Sequence, residues 1–143
     1  MAAGNTFNAT AFTSLSGFWF TFAIIFTPGG FDIISTLGGD DGEFYDSFGF
    51  FLFGWFIFTF LIVIATLRTT LAIFLTFITL DLAFLILGCG YLVRIDGVPH
   101  PGLIKAGGVF GILSAFLAWY NALAEILDES NRQVMVNSEY ESD

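Results

Sequence analysis

One acidic residue, Asp81, lies in the middle of the otherwise uncharged stretch LTFITLDLAFLIL, residues 75–87. An aspartate at the centre of a membrane helix costs roughly 2.5–3.5 kcal/mol on insertion scales, so it indicates a compensating partner or a function. No basic residue occurs at membrane depth, which leaves a hydroxyl, an amide or water as the partner and favours the neutral, protonated carboxyl. Two interpretations stay open: a structural hydrogen bond between helices, and a proton relay or cation site.

The last apolar segment carries two further patterns. Asn121 and Glu125 lie one helical turn apart near its end, where a carboxylate can be hydrated, so snorkelling or capping is favoured over proton handling for Glu125. Small residues also recur at steps of three and four, and in membranes such a stripe usually marks helix packing. The stripe consists of Gly108, Gly111, Ala115, Ala118 and Ala122.

The elements that hold these residues follow from composition. Of 143 residues, 56% are hydrophobic and 12% charged, against roughly 25% charged residues in a soluble domain. Four segments are long enough to cross a hydrocarbon core of about 30 Å as helices, at 7–27, 47–67, 71–92 and 103–127. The sequence therefore predicts an all-α polytopic membrane protein in the lipid bilayer. Its membrane domain covers 1–131, and the composition of the tail, 132–143, predicts disorder.

Other classes of protein are disfavoured by what the chain contains. Only four Lys and Arg argue against nucleic-acid binding, and one Cys and one His argue against a metal or haem site. Neither a nucleophile beside a base nor a phosphate-binding loop is recognisable, so we expect no enzyme and no cofactor. The positive-inside count is a tie, and the acidic loop before the second helix favours both termini, and hence the tail, in the cytosol.

Four stretches resemble, in order, the acetate uptake transporter family, the fungal and bacterial acetate and succinate permeases. They are GNTFNATAFTSLSGFWF from Gly4, FGFFLFGWFIFTFLIVIATLRT from Phe48, FLTFITLDLAFLILGCGYL from Phe74 and KAGGVFGILSAFLAWYNALAEIL from Lys105. The resemblance covers 4–131. It implies proton-coupled transport of acetate and similar monocarboxylates through a six-helix protomer of a homo-oligomer, a hexamer, in the plasma membrane. Fungal relatives are also linked with ammonium export.

By this resemblance the four helices correspond to the family's helices three to six. The first two, with their Asn-Pro-Ala-Pro-Leu-Gly motif, are missing, which predicts a truncated gene model or a fragment. Two constrictions of the family's path correspond here to Leu15, where Tyr or Phe is usual, and Leu80. Because adjacent helical residues diverge by about 100°, a path-facing Leu80 places Asp81 at the edge of the path or at a helix contact.

The same resemblance raises the question of whether the acetate anion or the neutral acid is transported. Without a cation at membrane depth, an acetate anion would meet only neutral donors such as Asn5, Thr6 and Asn121, or backbone amides at helix ends. Passage of the protonated acid, or of anion and proton together, is therefore favoured over free anion conduction. Two alternatives stay open: cation movement, specifically ammonium export, and a non-transporting four-helix protein that assembles with full-length relatives.

Overall fold

The computed structural model describes residues 6–37 and 42–140. Its elements are α1 (Thr6–Phe26), α2 (Ile33–Thr36), α3 (Glu43–Thr66), α4 (Leu71–Leu92), β1 (Arg94–Ile95), β2 (Val98–Pro99) and α5 (Pro101–Tyr140). Within α1, α3, α4 and α5 lie stretches long and apolar enough to cross a membrane. The predicted fold class, an all-α polytopic membrane protein, is confirmed.

The structure adds local elements that the sequence pattern did not predict. In the connection after α1, the short helix α2 follows Asp32, whose φ is 49°. After α4, the strands β1 and β2 form an antiparallel hairpin around Asp96 and Gly97, with φ values of 53° and 82°. Aspartate and glycine are the residues that tolerate two successive positive φ angles, so this pair explains the tight turn.

The last helix, α5, runs from Pro101 to Tyr140. The membrane domain over 1–131 and the disorder that composition indicates for 132–143 stay predictions. No glycine or proline occurs between Gly111 and Tyr140. Since these two residue types are the strongest helix terminators, nothing in this stretch ends the helix that begins at Pro101.

Helix α4 lies between α3 and α5, and glycines allow both close contacts. A Cβ atom on Gly49 of α3 would lie 2.8 Å from the side chain of Leu92, and one on Gly107 of α5 would lie 2.6 Å from Cγ of Leu87. Small residues at such points let two backbones approach closely, which is the main packing device of membrane helices. The α3–α4–α5 arrangement is therefore held by backbone proximity.

Helix α1 is attached in a different way, through aromatic side chains. The Phe18 ring stacks on Phe51 of α3, with centroids 5.8 Å apart, and meets Phe84 of α4 edge to face at 4.8 Å. Trp55 of α3 adds a second edge contact at 5.2 Å. Because large rings fill the space, the α1 backbone stays further from its neighbours, and this leaves room for cavities beside it.

Two polar contacts fix the connection between α4 and α5. His100 precedes the helix, and its Nδ1 accepts a hydrogen bond from the backbone N–H of Leu103 at 3.3 Å. Pro101, with its fixed φ, occupies the first position of α5, as is common at helix starts. Arg94 of β1 forms an ion pair with Asp46 in the first turn of α3. The hairpin therefore contacts α3 through its ion pair and leads directly into the capped start of α5.

Candidate functional site

Two neighbouring cavities lie where α1, α4 and α5 meet. The first has a volume of about 330 Å³ and is lined by three hydroxyl side chains, Ser16, Thr76 and Ser114, among apolar residues; we call it the hydroxyl cavity. The second, of about 410 Å³, is lined mainly by aromatic and aliphatic residues and is called the aromatic cavity. Four residues border both: Trp19, Leu80, Gly111 and Ala115.

The hydroxyl protons of the hydroxyl cavity are already donated to backbone carbonyls. Ser16 donates to a carbonyl oxygen one turn earlier in α1 at 2.9 Å, and Thr76 does the same in α4 at 2.9 Å. Ser114 donates across the helix interface to the carbonyl oxygen of Thr76 at 3.0 Å. A hydroxyl whose proton is committed in this way presents lone pairs, and therefore accepts hydrogen bonds. Among the described residues, no basic side chain borders either cavity.

Leu15 and Leu80 come together at the hydroxyl cavity. Leu15 projects from α1 and Leu80 from α4, and both belong to its lining. The two residues that the family resemblance placed at constrictions thus border one space from two helices.

The candidate polar residues have different positions. Asn121 of α5 donates from Nδ2 to Thr76 Oγ1 at 2.8 Å, which links α5 to the hydroxyl cavity from outside its lining. Thr6 and Glu125 are exposed and border neither cavity. Asn5 lies outside the described residues. Of the predicted neutral donors, Asn121 is the one that the structure brings to the cavity wall.

Asp81 is separated from both cavities although Leu80, its neighbour, borders both. Its side chain is only 3% exposed, and Oδ1 has no hydrogen-bond partner. On the same face of α4, Gly88 lies two turns away and touches Phe53 of α3, so Asp81 faces α3. This position agrees with the roughly 100° divergence of adjacent helical residues.

In the described part of the chain, a second buried polar side chain lacks a hydrogen-bond partner, and sequence reasoning missed it. Thr59 of α3 is fully buried, and its Oγ1 has no hydrogen-bond partner. A signal was present in the sequence, because a tight turn after Leu67 makes α3 and α4 antiparallel. Thr59 and Asp81 are 10 and 12 residues from Thr69 in that turn (69 − 59 and 81 − 69), which places them at similar depth.

The small-residue stripe of α5 borders the cavities in the described part of the chain. A Cβ atom on Gly108 or Gly111 would meet no other atom within 4 Å, and Ala122 is exposed. Ala115 and Ala118 belong to the cavity lining. The close approach of α5 to α4 is made by Gly107 instead. Helix packing along the stripe stays a prediction.

Four membrane-length helices, with cavities between them that contain neutral polar groups, define a polytopic helical membrane protein. Residues 1–139 match the model of the GPR1/FUN34/yaaH family, and the chain belongs to that family. This confirms the assignment that the sequence motifs indicated.

Three curated relatives illustrate the match. Acetate permease A of Emericella nidulans is 61% identical over 92% of this chain and 45% of its own length. Ammonia transport outward protein 2 of Saccharomyces cerevisiae is 36% identical over 96% of the chain and 46% of its own length. The succinate-acetate/proton symporter SatP of Escherichia coli K12 is 31% identical over 88% and 61%. The chain spans about half the length of the curated relatives it matches. No solved structure matches it.

Proposed function

We propose that this chain takes part in transmembrane transport of acetate or a similar small monocarboxylic acid, coupled to protons. Membership of the family supports this function, as do the names of acetate permease A and the succinate-acetate/proton symporter. The structural observation that carries it is the hydroxyl cavity between Leu15 and Leu80, whose three hydroxyls all present lone pairs.

The chemistry of this cavity favours a substrate that carries its own proton. A protonated carboxylic acid has an O–H that a hydroxyl lone pair can accept, and its methyl group fits an apolar wall such as Leu15 and Leu80. A carboxylate would instead face lone pairs without a cation to balance its charge, and burying an unpaired charge is costly. The species that occupies the cavity is therefore the neutral acid, or acetate together with a proton.

The assembly and the membrane are part of the same proposal. A homo-oligomer, a hexamer by resemblance, in the plasma membrane would give the α5 stripe a partner that the described residues do not provide. Exposed aromatic residues on the same helix, including Phe116 and Trp119, suit contact with lipid or with another subunit. Chemical cross-linking in native membranes, read against the mass of one chain, tests this assignment.

The test of transport is uptake of labelled acetate into liposomes that contain the purified chain and an internal pH indicator. Because neutral acetic acid also crosses lipid, every rate is compared with protein-free vesicles. Leu80→Phe places a larger side chain at the border of both cavities and is expected to lower the uptake about tenfold, equivalent to roughly 1.4 kcal/mol on the barrier. Leu61→Phe makes the same change on an exposed face of α3 and should leave uptake unchanged.

Two results would count against the proposal. Uptake by the unaltered chain at the rate of protein-free vesicles would remove transport by this chain, and equal uptake by the Leu80→Phe and Leu61→Phe variants would remove the cavity as the path. Absence of uptake combined with co-purification with a full-length relative would favour the non-transporting four-helix protein.

Ammonium export is a second candidate, because one relative is named for outward ammonia transport. The lone pairs of Ser114, and the one that Thr76 retains beside its bond from Asn121, accept an N–H as readily as an O–H. Movement of methylammonium, measured in the same vesicles without acetate, separates the two substrates. A methylammonium flux that exceeds the acetate flux and is abolished by Leu80→Phe would replace acetate with ammonium as the transported species.

A further inference from the structure

Two buried side-chain oxygens in the described part of the chain have no hydrogen-bond partner, and they belong to Thr59 and Asp81. Thr59 is 0% exposed and Asp81 is 3% exposed. Other threonines of these two helices, such as Thr66 and Thr76, donate their hydroxyl protons to carbonyls of their own helix. A buried polar group without a partner is rare and calls for an explanation, such as a proton, a water or an ion at that point.

The two oxygens belong to the same helix interface. Gly49 of α3 lies against Gly88 and Leu92 of α4. Thr59 is 10 residues further along α3 (59 − 49), and Asp81 is 7 to 11 residues back along α4 (88 − 81 and 92 − 81). With a rise of about 1.5 Å per residue in antiparallel helices, Thr59 and Asp81 lie at the same depth to within about one turn.

Within the described helices around it, no charged group faces this point. Described α1 contains no titratable side chain, and those of α3 lie in its first turn, far from Thr59. On α4, Cys89 and Tyr91 lie at least two turns beyond Asp81. Helix α5 contacts α4 through Thr76 and Leu87, which belong to a different face from that of Asp81. Up to Asp128, the titratable residues of α5 are Lys105, Tyr120, Glu125 and Asp128.

We propose that Asp81 and Thr59 form a buried proton-binding site between α3 and α4. An ionised Asp81 would be a buried charge without a cation, whereas protonation of one carboxyl oxygen removes the charge and creates an O–H donor. The neutral acid and the threonine hydroxyl each offer one donor and at least one acceptor. They can satisfy each other after a small side-chain rotation, or through one water molecule.

This inference rests on the proposed function only for its role in transport. Asp81 follows Leu80, which borders both cavities, so a substrate that shifts the α4 backbone at Leu80 also moves Asp81. The proton enters by binding to a carboxyl oxygen of Asp81 and leaves to water when this segment of α4 shifts. The site would then hold the proton that accompanies the acid.

Infrared spectroscopy tests the site without any need for transport. At neutral pH the chain in liposomes should show the C=O stretch of a protonated carboxyl group, and Asp81→Asn should abolish that band. Thr59→Val should shift it, because the hydrogen-bond partner is lost. Asp96→Asn is the matched control: Asp96 is exposed in a turn at φ 53°, a conformation that asparagine also accepts, and the band should stay. An Asp81→Asn spectrum identical to that of the unaltered chain would overturn the site.

The ratio of proton to acetate uptake tests the coupling. In the Asp81→Asn variant this ratio should fall towards the one proton that a neutral acid carries itself, whereas a purely structural role would lower both fluxes together and leave the ratio unchanged, which would overturn the coupling. If the unaltered chain moves no acetate, the proposed function fails, and the infrared result alone decides whether the proton site exists. Tryptophan fluorescence checks that each variant is folded. If Asp81→Asn does not fold, Thr59→Val serves as the second variant that tests the site.

Discussion

Replacing Gly107 by alanine should push α5 away from α4. The new Cβ atom would lie 2.6 Å from Cγ and 2.8 Å from Cδ2 of Leu87, and 3.1 Å from the backbone nitrogen of that residue. The leucine side chain can rotate, but the backbone nitrogen can yield only if the helix moves. Overpacking of this kind costs about 1–3 kcal/mol, against a gain of about 0.5–1 kcal/mol from the better helix propensity of alanine.

Gly108 provides the control for this substitution, because an alanine there has the same propensity gain and meets no atom within 4 Å. The free energies of unfolding of Gly107→Ala and Gly108→Ala should therefore differ by about 1–3 kcal/mol, with Gly107→Ala the less stable. Tryptophan fluorescence during SDS titration of the chain in mild detergent measures both. Equal unfolding midpoints would refute the inferred α4–α5 contact. A Gly108→Ala variant below the unaltered chain in stability would instead reveal a packing partner for the stripe.

Substitutions at three further positions test polar contacts in the same unfolding assay. Asn121→Leu removes the hydrogen bond to Thr76 and should lower the free energy of unfolding by about 0.5–1.5 kcal/mol. An unchanged free energy of unfolding would contradict that bond. Arg94→Ala breaks a partly exposed ion pair with Asp46 and should cost less than about 1 kcal/mol, an effect that high salt should remove. His100→Ala removes the acceptor at the start of α5 and should cost about 1 kcal/mol, and His100→Asn should restore the stability because asparagine is a strong cap.

The membrane helices could be predicted from sequence because lipid imposes a simple length requirement on apolar segments. The short elements between them could not. The hairpin of β1 and β2 depends on two successive positive φ angles at Asp96 and Gly97, and is tied to α3 through Arg94. Tertiary contacts of this kind do not change the hydropathy of a segment, so a two-residue strand cannot be recognised from the hydropathy pattern.

The candidate site was only partly accessible from sequence. Leu15 and Leu80 were identified by family resemblance, since nothing in the periodicity of an apolar helix distinguishes one leucine from another. Thr59 was missed because a lone hydroxyl in an apolar helix has an ordinary interpretation, a bond to its own backbone. Its significance depends on the absence of that bond, which is a property of side-chain geometry.

Helix α4 carries residues of both proposed sites, the uncharged cavity and the buried carboxyl group. Its residues Thr76 and Leu80 border the hydroxyl cavity, while Asp81 faces α3. If Asp81 lined the cavity, its ionised form would repel an incoming carboxylate, and its neutral form would compete with the substrate for the hydroxyl lone pairs. A carboxyl on the adjacent face avoids both problems, yet it moves with Leu80 whenever the α4 backbone shifts, because the two residues are adjacent in the chain. The proposed coupling between acid and proton then requires only a rigid shift of one helix, and no direct contact between Asp81 and the substrate.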